Sequence, residues 1–305
     1  MTATPPAIAA IVGPTAAGKS ALALALAECL PLEIISADSR QVYRGMDIGT
    51  AKPSAGERAE VPHHLIDLVA PDEPFTVADW VAAARALLPQ VAARERLPLI
   101  VGGTGLYLSA LLDGFDFERQ AWSPDLRARL DLELSIEGLP PLAERLRRLA
   151  PAVAAATDLR NPRRVLRALE RAEAGDVDPP RATPYGGRTL LIGLRLPREE
   201  LRGRIERRAR HMLSAGLLDE TQRLLRAGYR AALPSMSGIG YAEAARHLAG
   251  EWNLEETVAA IVQRSVRLAK RQMTWFRRDP RIRWLDARNP ILVERAEQLL
   301  AGARA

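Results

Sequence analysis

A glycine-rich segment near the amino terminus constrains this chain more than any other feature. Residues 13–20 read Gly-Pro-Thr-Ala-Ala-Gly-Lys-Ser and match the pattern G-x-x-x-x-G-K-[ST] of a phosphate-binding loop. An apolar run of strand type at 8–12 precedes the loop, and an Ala/Leu-rich helical stretch at 21–30 follows it. The glycines let backbone N–H groups curl around an anion, and the dipole of the helix adds to the attraction. The loop therefore predicts a phosphate or diphosphate site, without specifying a nucleotide.

Two loop residues have predicted roles of their own. Lys19 would supply a point charge to the terminal phosphate, and the hydroxyl of Ser20 would bind Mg²⁺. The predicted phosphate-binding residues are Gly13, Pro14, Thr15, Ala16, Ala17, Gly18, Lys19 and Ser20.

Further along the chain, apolar runs alternate with helical stretches. Strand-like runs occur at 32–36, 97–101, 189–194 and 282–285, a further apolar run at 65–69, and helical stretches at 75–97 and 197–277. This alternation predicts an α/β fold, a P-loop core with a parallel sheet flanked by helices. Residues 118–175 are helical throughout and contain no convincing strand. We therefore predict an all-helical insertion domain over 118–186, within a core formed by 1–117 and 187–305.

Composition limits the class of protein. Of the 305 residues, 48% are hydrophobic and 26% charged, which is typical of a folded globular protein. A single cysteine, Cys29, excludes a disulfide framework and a cysteine-based zinc site. No apolar run reaches the ~18 residues of a transmembrane helix, and residues 1–10 lack the basic segment of a signal peptide. We expect a cytoplasmic protein that does not associate with membranes.

Charge is distributed unevenly along the chain. Residues 1–118 hold 8 Lys/Arg against 14 Asp/Glu, whereas the remaining residues hold 35 against 23. Residues 119–171 contain 11 arginines and 7 acids, and residues 263–283 contain 8 Lys/Arg and one acid, Asp279. A basic second part indicates binding of a polyanion. The alternative is an arginine-rich surface that is merely solvated.

Two segments follow predicted strands and would lie at the carboxyl edge of the sheet, where open α/β folds bind ligands. Asp38 at this edge suits a base or an indirect magnesium ligand, but also a helix N-cap or an Asx turn. Gly102, Gly103 and Thr104 would allow close approach of the backbone to a ligand, or simply form a tight turn.

Histidines and tryptophans give weaker signals. His63 and His64 lack a third ligand at useful spacing, so we interpret them as structural or substrate-lining rather than metal-binding. Trp252, Trp275 and Phe276 are predicted to be core residues rather than platforms for stacked bases.

Five motifs occur in order along the chain. The phosphate loop is followed by SADSRQVYRGMDIGTAKP at 36–53, PHHLID at 62–67, VGGTGLY at 101–107 and AKRQMTWF at 269–276. From about residue 8 to 286 the chain thereby resembles the bacterial tRNA dimethylallyltransferases, the delta(2)-isopentenylpyrophosphate:tRNA transferases, and the segment at 36–53 is highly specific to that family. The chain departs from the family pattern at Ser237-Gly238, Ala242 and Val266.

Members of that family transfer a dimethylallyl group from dimethylallyl diphosphate to N6 of an adenine in tRNA. The adenine is 3′-adjacent to the anticodon of tRNAs that read codons beginning with U, and Mg²⁺ assists as diphosphate leaves. The resemblance implies the same activity here, with Mg²⁺ as cofactor, dimethylallyl diphosphate and the anticodon stem-loop of tRNA as partners, and a monomeric chain.

The resemblance also implies roles for individual residues. Asp38 would be the general base on the adenine amine, Arg208 would act on the diphosphate and Thr104 would line the channel. The flipped adenine would be held by the segment of Asp38, Ser39, Arg40 and Gln41. Further tRNA contacts would come from Thr104, Arg127, Arg163, Arg164, Val165, Leu166 and Arg167.

Two other functions share the phosphate loop. A small-molecule or nucleotide kinase would transfer the γ-phosphate of ATP to an acceptor. An RNA-binding P-loop regulator would bind RNA without turnover. The Asn-Lys-x-Asp base reader that a GTPase needs does not occur in the sequence.

Overall fold

The computed structural model describes residues 5–114, 123–178 and 182–304. The chain divides into two compact units, one from Asp113 to Pro184 and the other from the segments before and after it. We call these the helical unit and the core unit. The predicted boundary between residues 117 and 118 lies outside the described residues.

The core unit is built on a parallel sheet that has six strands within the described residues. The spatial order is β3-β2-β4-β1-β5-β6, and the strands are β1 (Ile8–Val12), β2 (Leu32–Ala37), β3 (His63–His64), β4 (Leu97–Gly102), β5 (Thr189–Arg195) and β6 (Ile282–Asp286). Gly102 pairs with Val12 on one side and with Ala37 on the other. The carboxyl ends of β1, β2 and β4 therefore meet at one edge of the sheet, and all three strands are buried along their whole length.

Helices flank the sheet in the core unit, and a separate set of helices makes up the helical unit. Those of the core unit are α1 (Lys19–Cys29), α2 (Ala55–Glu60), α3 (Val77–Ala93), α4 (Gly105–Leu112), α9 (Arg198–Ser214), α10 (Leu217–Arg226), α11 (Tyr241–Leu248), α12 (Leu254–Phe276) and α13 (Leu292–Arg304), with a short 3-10 helix at Ser235–Ser237. Those of the helical unit are α5 (Pro124–Glu137), α6 (Leu139–Leu149), α7 (Pro151–Ala156) and α8 (Pro162–Glu173). Among the described residues, no helix has both the length and the apolar character to cross a membrane.

Three apolar clusters of the described residues contribute to holding these elements together. One buries the sheet against α1 and α13, with Leu26 and Leu300 fully enclosed. A second packs α9 to α12 around the segment after β2, including Met46. The third is the core of the helical unit, where Leu146 of α6 meets Leu169 of α8. Burial of these side chains is the main force that stabilises each unit.

The predicted fold class is confirmed, and the strands predicted at 8–12, 32–36, 97–101, 189–194 and 282–285 all form. The apolar run at 65–69 is not a strand. Leu65 and Asp67 adopt positive φ values of 60° and 57°, which breaks an extended conformation, and the strand lies earlier, at His63–His64. Sequence analysis assigned no element to α13.

The prediction for the tryptophans is only partly right. Phe276 is buried, as expected. Trp275 is 36% exposed and its Nε1 donates to Ser109 Oγ at 3.2 Å, so its assignment to the core is wrong. Trp252 lies partly buried beneath the guanidinium of Arg246, 4.7 Å from the ring centroid.

The close approach of β2 and β4 at Gly102 gives a stability prediction. A Cβ at residue 102 would lie 2.1 Å from the carbonyl oxygen of Ala37, which cannot move without disturbing the pairing of the strands. Gly102→Ala should therefore lower the free energy of unfolding by about 1–3 kcal/mol, measured by urea denaturation.

The matched control is Gly203→Ala in α9. Its Cβ would meet only the Nη1 atom of Arg207, at 3.5 Å. Alanine is the better helix former, so stability should be kept or raised by up to about 1 kcal/mol. Equal stabilities of the two variants would contradict the prediction.

Candidate active site

The phosphate loop enters α1 through left-handed backbone conformations. Ala16 and Gly18 have φ values of 63° and 96°, and Gly18 is the N-cap of the helix. No side chain caps α1. Amide groups at such a helix start are free of a capping partner and are the groups that bind phosphate.

Two cations lie beside this loop. Lys19 Nζ donates to the carbonyl oxygens of Gly13 at 3.1 Å and Pro14 at 2.8 Å. Arg208 reaches in from α9, where its Nη1 donates to Thr15 Oγ1 at 3.2 Å. Lys19, Arg208 and Thr15 were all predicted site residues, and the structure brings them together.

The electrostatics of these cations favour an anion. Burial lowers the pKa of Lys19 to about 8, and repulsion from Arg208 contributes, whereas the charge of Asp38 opposes the decrease. Burial also lowers the pKa of Arg208, again opposed by Asp38. Two desolvated cations that repel each other are stabilised when an anion binds between them.

Asp38 immediately follows β2. Its Oδ1 accepts a hydrogen bond from the backbone N–H of Arg40 at 2.8 Å, which is the Asx-type turn expected as one alternative. Among the described residues, no hydrogen bond to Oδ2 forms. The turn therefore orients the carboxylate without using both of its oxygens, so a structural and a chemical role are compatible.

Thr104 ties the end of β4 to the segment after β2. Its backbone N–H donates to Ala37 O at 3.1 Å, and its Oγ1 accepts from the N–H of Ser39 at 3.1 Å. The tight turn at residues 102–104 thus holds the segment that carries Asp38.

Gln272 of α12 joins the two loops at the sheet edge. Its Oε1 accepts from the N–H of Thr15 at 2.8 Å, and its Nε2 donates to Gly103 O at 3.1 Å. A Cβ at residue 103 would lie 2.2 Å from that Nε2, so the contact needs glycine there. Sequence analysis missed this residue. The only signal for it was its place in the motif at 269–276.

The side chains of Arg40 and Gln41 are engaged with the protein. Arg40 Nη1 donates to Pro234 O at 2.6 Å. Gln41 Oε1 accepts from Ser36 Oγ at 2.8 Å, and its Nε2 donates to Ala51 O at 3.1 Å. In the structure both residues shape the segment that follows Asp38, and their predicted contact with adenine stays a prediction.

Two buried charged residues hold the segment at 38–53 in place. Lys52, whose side chain is 1% exposed, donates to Asp47 at 2.7 Å and Asp67 at 2.5 Å. Glu220 of α10 is also buried and accepts from the N–H of Ile48 at 3.0 Å and from Tyr241 Oη at 2.6 Å. Glu220 and Ile48 are distant in the sequence, and sequence analysis assigned no role to Lys52 or Glu220.

The phosphate loop, Asp38, Thr104 and Arg208 border one cavity of about 640 Å³ within the core unit. A volume of this size suits a small organic ligand. Of the residues predicted from sequence, it is lined by Thr15, Lys19, Ser20, Asp38, Ser39, Arg40, Gln41, Thr104 and Arg208. His63 also lines the cavity, which fits the substrate-lining interpretation. His64 Nε2 is hydrogen-bonded to Glu33 Oε2 at 2.7 Å, which fits the structural one.

The remaining predicted tRNA contacts lie in the helical unit. Arg163 and Arg164 are exposed on α8, and Arg127 and Arg167 are partly exposed and paired with Glu170. Val165 and Leu166 are buried at 0% and 1% exposure in the core of this unit. Their side chains are enclosed among apolar neighbours, and the prediction that these two residues contact tRNA stays a prediction.

The sheet, the phosphate loop and the cavity together are the features of a P-loop enzyme. A family model described as IPP transferase matches residues 41–279, and one described as Isopentenyl transferase matches residues 6–66. The chain is 49% identical over 299 residues to the tRNA dimethylallyltransferase of Roseiflexus castenholzii, which covers 95% of this chain and 96% of that protein. This chain belongs to the IPP transferase family.

Solved structures agree with this assignment. The full-length tRNA isopentenylpyrophosphate transferase of Bacillus halodurans is 40% identical, with a TM-score of 0.73 and coverage of 97% of this chain and 96% of that one. A eukaryotic dimethylallyltransferase acting on tRNA is 23% identical, with a TM-score of 0.79 over 97% of this chain and 78% of that chain. The second likeness concerns the fold alone. The resemblance found in the sequence is thus confirmed.

The lowered pKa of Lys19 predicts proton uptake when an anion binds. Below about pH 8 the amine of the free protein is already charged, so binding of an anion changes its protonation little. Above pH 8 the amine is mostly neutral, and a bound diphosphate raises its pKa and draws a proton from solution. Calorimetry with inorganic diphosphate at pH 8.5, in two buffers of different ionisation enthalpy, should show this uptake, and the affinity should fall as the pH rises further.

Two variants make this test specific. Lys19→Met should lose the uptake. Lys270→Met removes the same charge from an exposed position of α12 and should keep it. A wild-type uptake no greater than that of Lys19→Met would contradict the prediction.

Proposed function

We propose that this protein transfers a dimethylallyl group from dimethylallyl diphosphate to N6 of an adenine in tRNA. The adenine is the one 3′-adjacent to the anticodon, in tRNAs that read codons beginning with U. One observation carries the proposal: residues of the phosphate loop, including the cation Lys19, line the same cavity as a second cation, Arg208, and the carboxylate of Asp38. A leaving diphosphate and a proton acceptor are both needed when an allylic diphosphate alkylates an amine.

The names of the relatives support tRNA as the substrate. The curated relative is a tRNA dimethylallyltransferase, and the bacterial structure is a tRNA isopentenylpyrophosphate transferase. Both names specify tRNA as the acceptor and an isoprenoid group as the group transferred. Neither a kinase nor an RNA-binding regulator would transfer an isoprenoid group.

On the donor side, catalysis amounts to stabilising negative charge. The C1–O bond of the donor breaks, and its electron pair stays with the diphosphate. Lys19, Arg208 and the amide groups at the start of α1 would meet that charge in a desolvated site, where such interactions are strong. Their positions are set before the substrate arrives, by the hydrogen bonds to residues 13–15.

On the acceptor side, Asp38 would remove a proton. The amine of adenine is a poor nucleophile because its lone pair is delocalised into the ring. As the N6–C1 bond forms, one proton of N6 passes to the carboxylate, a step that typically contributes about 10²–10⁴-fold. The base must leave its stack to reach the cavity, at a cost of a few kcal/mol.

Magnesium fits the site as a companion of the diphosphate. Ser20 lines the cavity. Among the described residues, no group of three or more His, Cys, Asp or Glu side chains could hold a metal ion by itself. Ser20 Oγ with diphosphate oxygens and water would form a set that Mg²⁺ accepts. Bound there, the ion would neutralise charge on the leaving group.

The proposal is tested by the product. The protein is incubated with unmodified tRNA, dimethylallyl diphosphate and Mg²⁺, and the digested tRNA is analysed for N6-dimethylallyladenosine. A kinase would instead consume ATP without the donor, and an RNA-binding regulator would retain tRNA without forming product. Absence of the modified nucleoside with wild-type protein that binds tRNA would overturn the proposal.

The role of Asp38 gives a quantitative prediction. Asp38→Asn keeps an oxygen for the N–H of Arg40 but cannot accept the proton. Its single-turnover rate should fall by roughly 10²–10⁴, with tRNA affinity within a few fold. Asp72→Asn, an exposed substitution before α3, is the control and should react at the wild-type rate. A near-normal rate for Asp38→Asn would remove Asp38 from the mechanism.

A further inference from the structure

A buried carboxylate in the helical unit holds two arginines at once. Glu170 of α8 is 1% exposed. Its Oε1 accepts from Arg127 Nη1 at 3.0 Å, and its Oε2 accepts from Arg167 Nη1 at 2.9 Å. Arg127 comes from α5, so the carboxylate joins two helices through their guanidinium groups.

Neither arginine is buried by this arrangement. The side chains of Arg127 and Arg167 remain 32% and 31% exposed. Arg127 is oriented further by Asp131, whose Oδ2 accepts from its Nε at 3.0 Å. The exposed Arg163 and Arg164 lie one turn before Arg167 on α8. The buried carboxylate therefore lies beneath a surface on which arginines are concentrated.

Electrostatics explains why the carboxylate matters for this geometry. Two guanidinium groups bonded to the same carboxylate are close together and repel each other. A negative charge that touches both guanidinium groups offsets this repulsion. Paired guanidinium groups present several N–H donors in fixed planes, and this arrangement suits the oxygens of a phosphate group.

We propose that Glu170 is a positioning residue for RNA docking, which holds Arg127 and Arg167 as a preformed pair for the phosphate backbone. This inference rests on the proposed function and goes beyond it, since it assigns a role to a residue that cannot touch RNA. Preorganisation of this kind improves binding because less ordering is required when the complex forms.

The proposal makes a prediction opposite to that of simple charge counting. Glu170→Gln removes one negative charge from the helical unit and so makes its net charge more positive by one. If charge alone controlled docking, RNA binding would become tighter and more dependent on salt. If Glu170 positions the arginines, binding becomes weaker and less dependent on salt, because the pair separates and one phosphate contact is lost.

The measurement is a salt series of filter binding with an unmodified anticodon stem-loop RNA. Glu170→Gln should weaken binding by about threefold to tenfold and reduce the slope of log K against log salt by about 1. The matched control is Glu144→Gln. Glu144 is 59% exposed and pairs only with Arg147 within the described residues. Glu144→Gln therefore changes the net charge by the same amount without releasing Arg127 and Arg167. It should bind as tightly as wild type or slightly more tightly.

A double-mutant cycle separates positioning from a general loss of structure. With Arg127→Ala and Arg167→Ala already present, Glu170→Gln should no longer weaken binding, because the groups it acts through are gone. Glu170→Asp retains the charge but is one methylene too short to hold both guanidinium groups, so it should weaken binding even if Glu170→Gln fails to fold. Thermal melting of each variant identifies the folded ones.

The outcomes are distinct. Binding by Glu170→Gln equal to or tighter than that of Glu144→Gln would overturn the inference, as would an unchanged affinity in Glu170→Asp or an equal loss in the arginine-free background. These results would leave the proposed function intact if the wild type still forms the modified nucleoside. Failure of wild-type protein to bind or modify tRNA would instead remove the proposed function itself.

Discussion

The common direction of β1, β2 and β4 determines where the reactive groups of this protein lie. Each strand ends at the same edge of the sheet, so the phosphate loop, Asp38 and Thr104 are neighbours although they are far apart in sequence. In an antiparallel arrangement, these segments would end at opposite edges. Gly102 is where this constraint is tightest, because only a residue without a side chain lets β4 pair so closely with β2.

The helices after β5 complete the site that the sheet begins. α9 supplies Arg208 to the phosphate loop, and α12 supplies Gln272, which bonds to that loop and to Gly103. α10 supplies Glu220 to the segment after Asp38. The site is thus formed by one set of elements that carries the chemistry and by a second set that fixes its geometry. Buried hydrogen bonds of this kind specify one arrangement, since leaving any partner unpaired is costly.

Most of the fold and the chemical half of the site could be predicted from the sequence. The strands are short apolar runs, and the phosphate loop has a local pattern that depends on few residues. The supporting half could not, because Glu220 and Gln272 act through partners that only the folded chain brings near. The burial of Val165 and Leu166 was not predicted either, because it depends on how α8 packs in the folded chain. They share a segment with exposed arginines, but the turn of α8 directs them inward.

The position of α13 in the sequence affects the order in which parts of the core unit fold during synthesis. α13 packs against α1 and encloses Leu300 beside residues of the first helix. During synthesis, α1 leaves the ribosome long before α13 does, so one side of α1 stays uncovered until α13 has been made. The helical unit has its own core and lies earlier in the chain, so it can close before the sheet does. A chain that stops before α13 would contain every residue that lines the cavity, but α1 would lack the helix that packs against it.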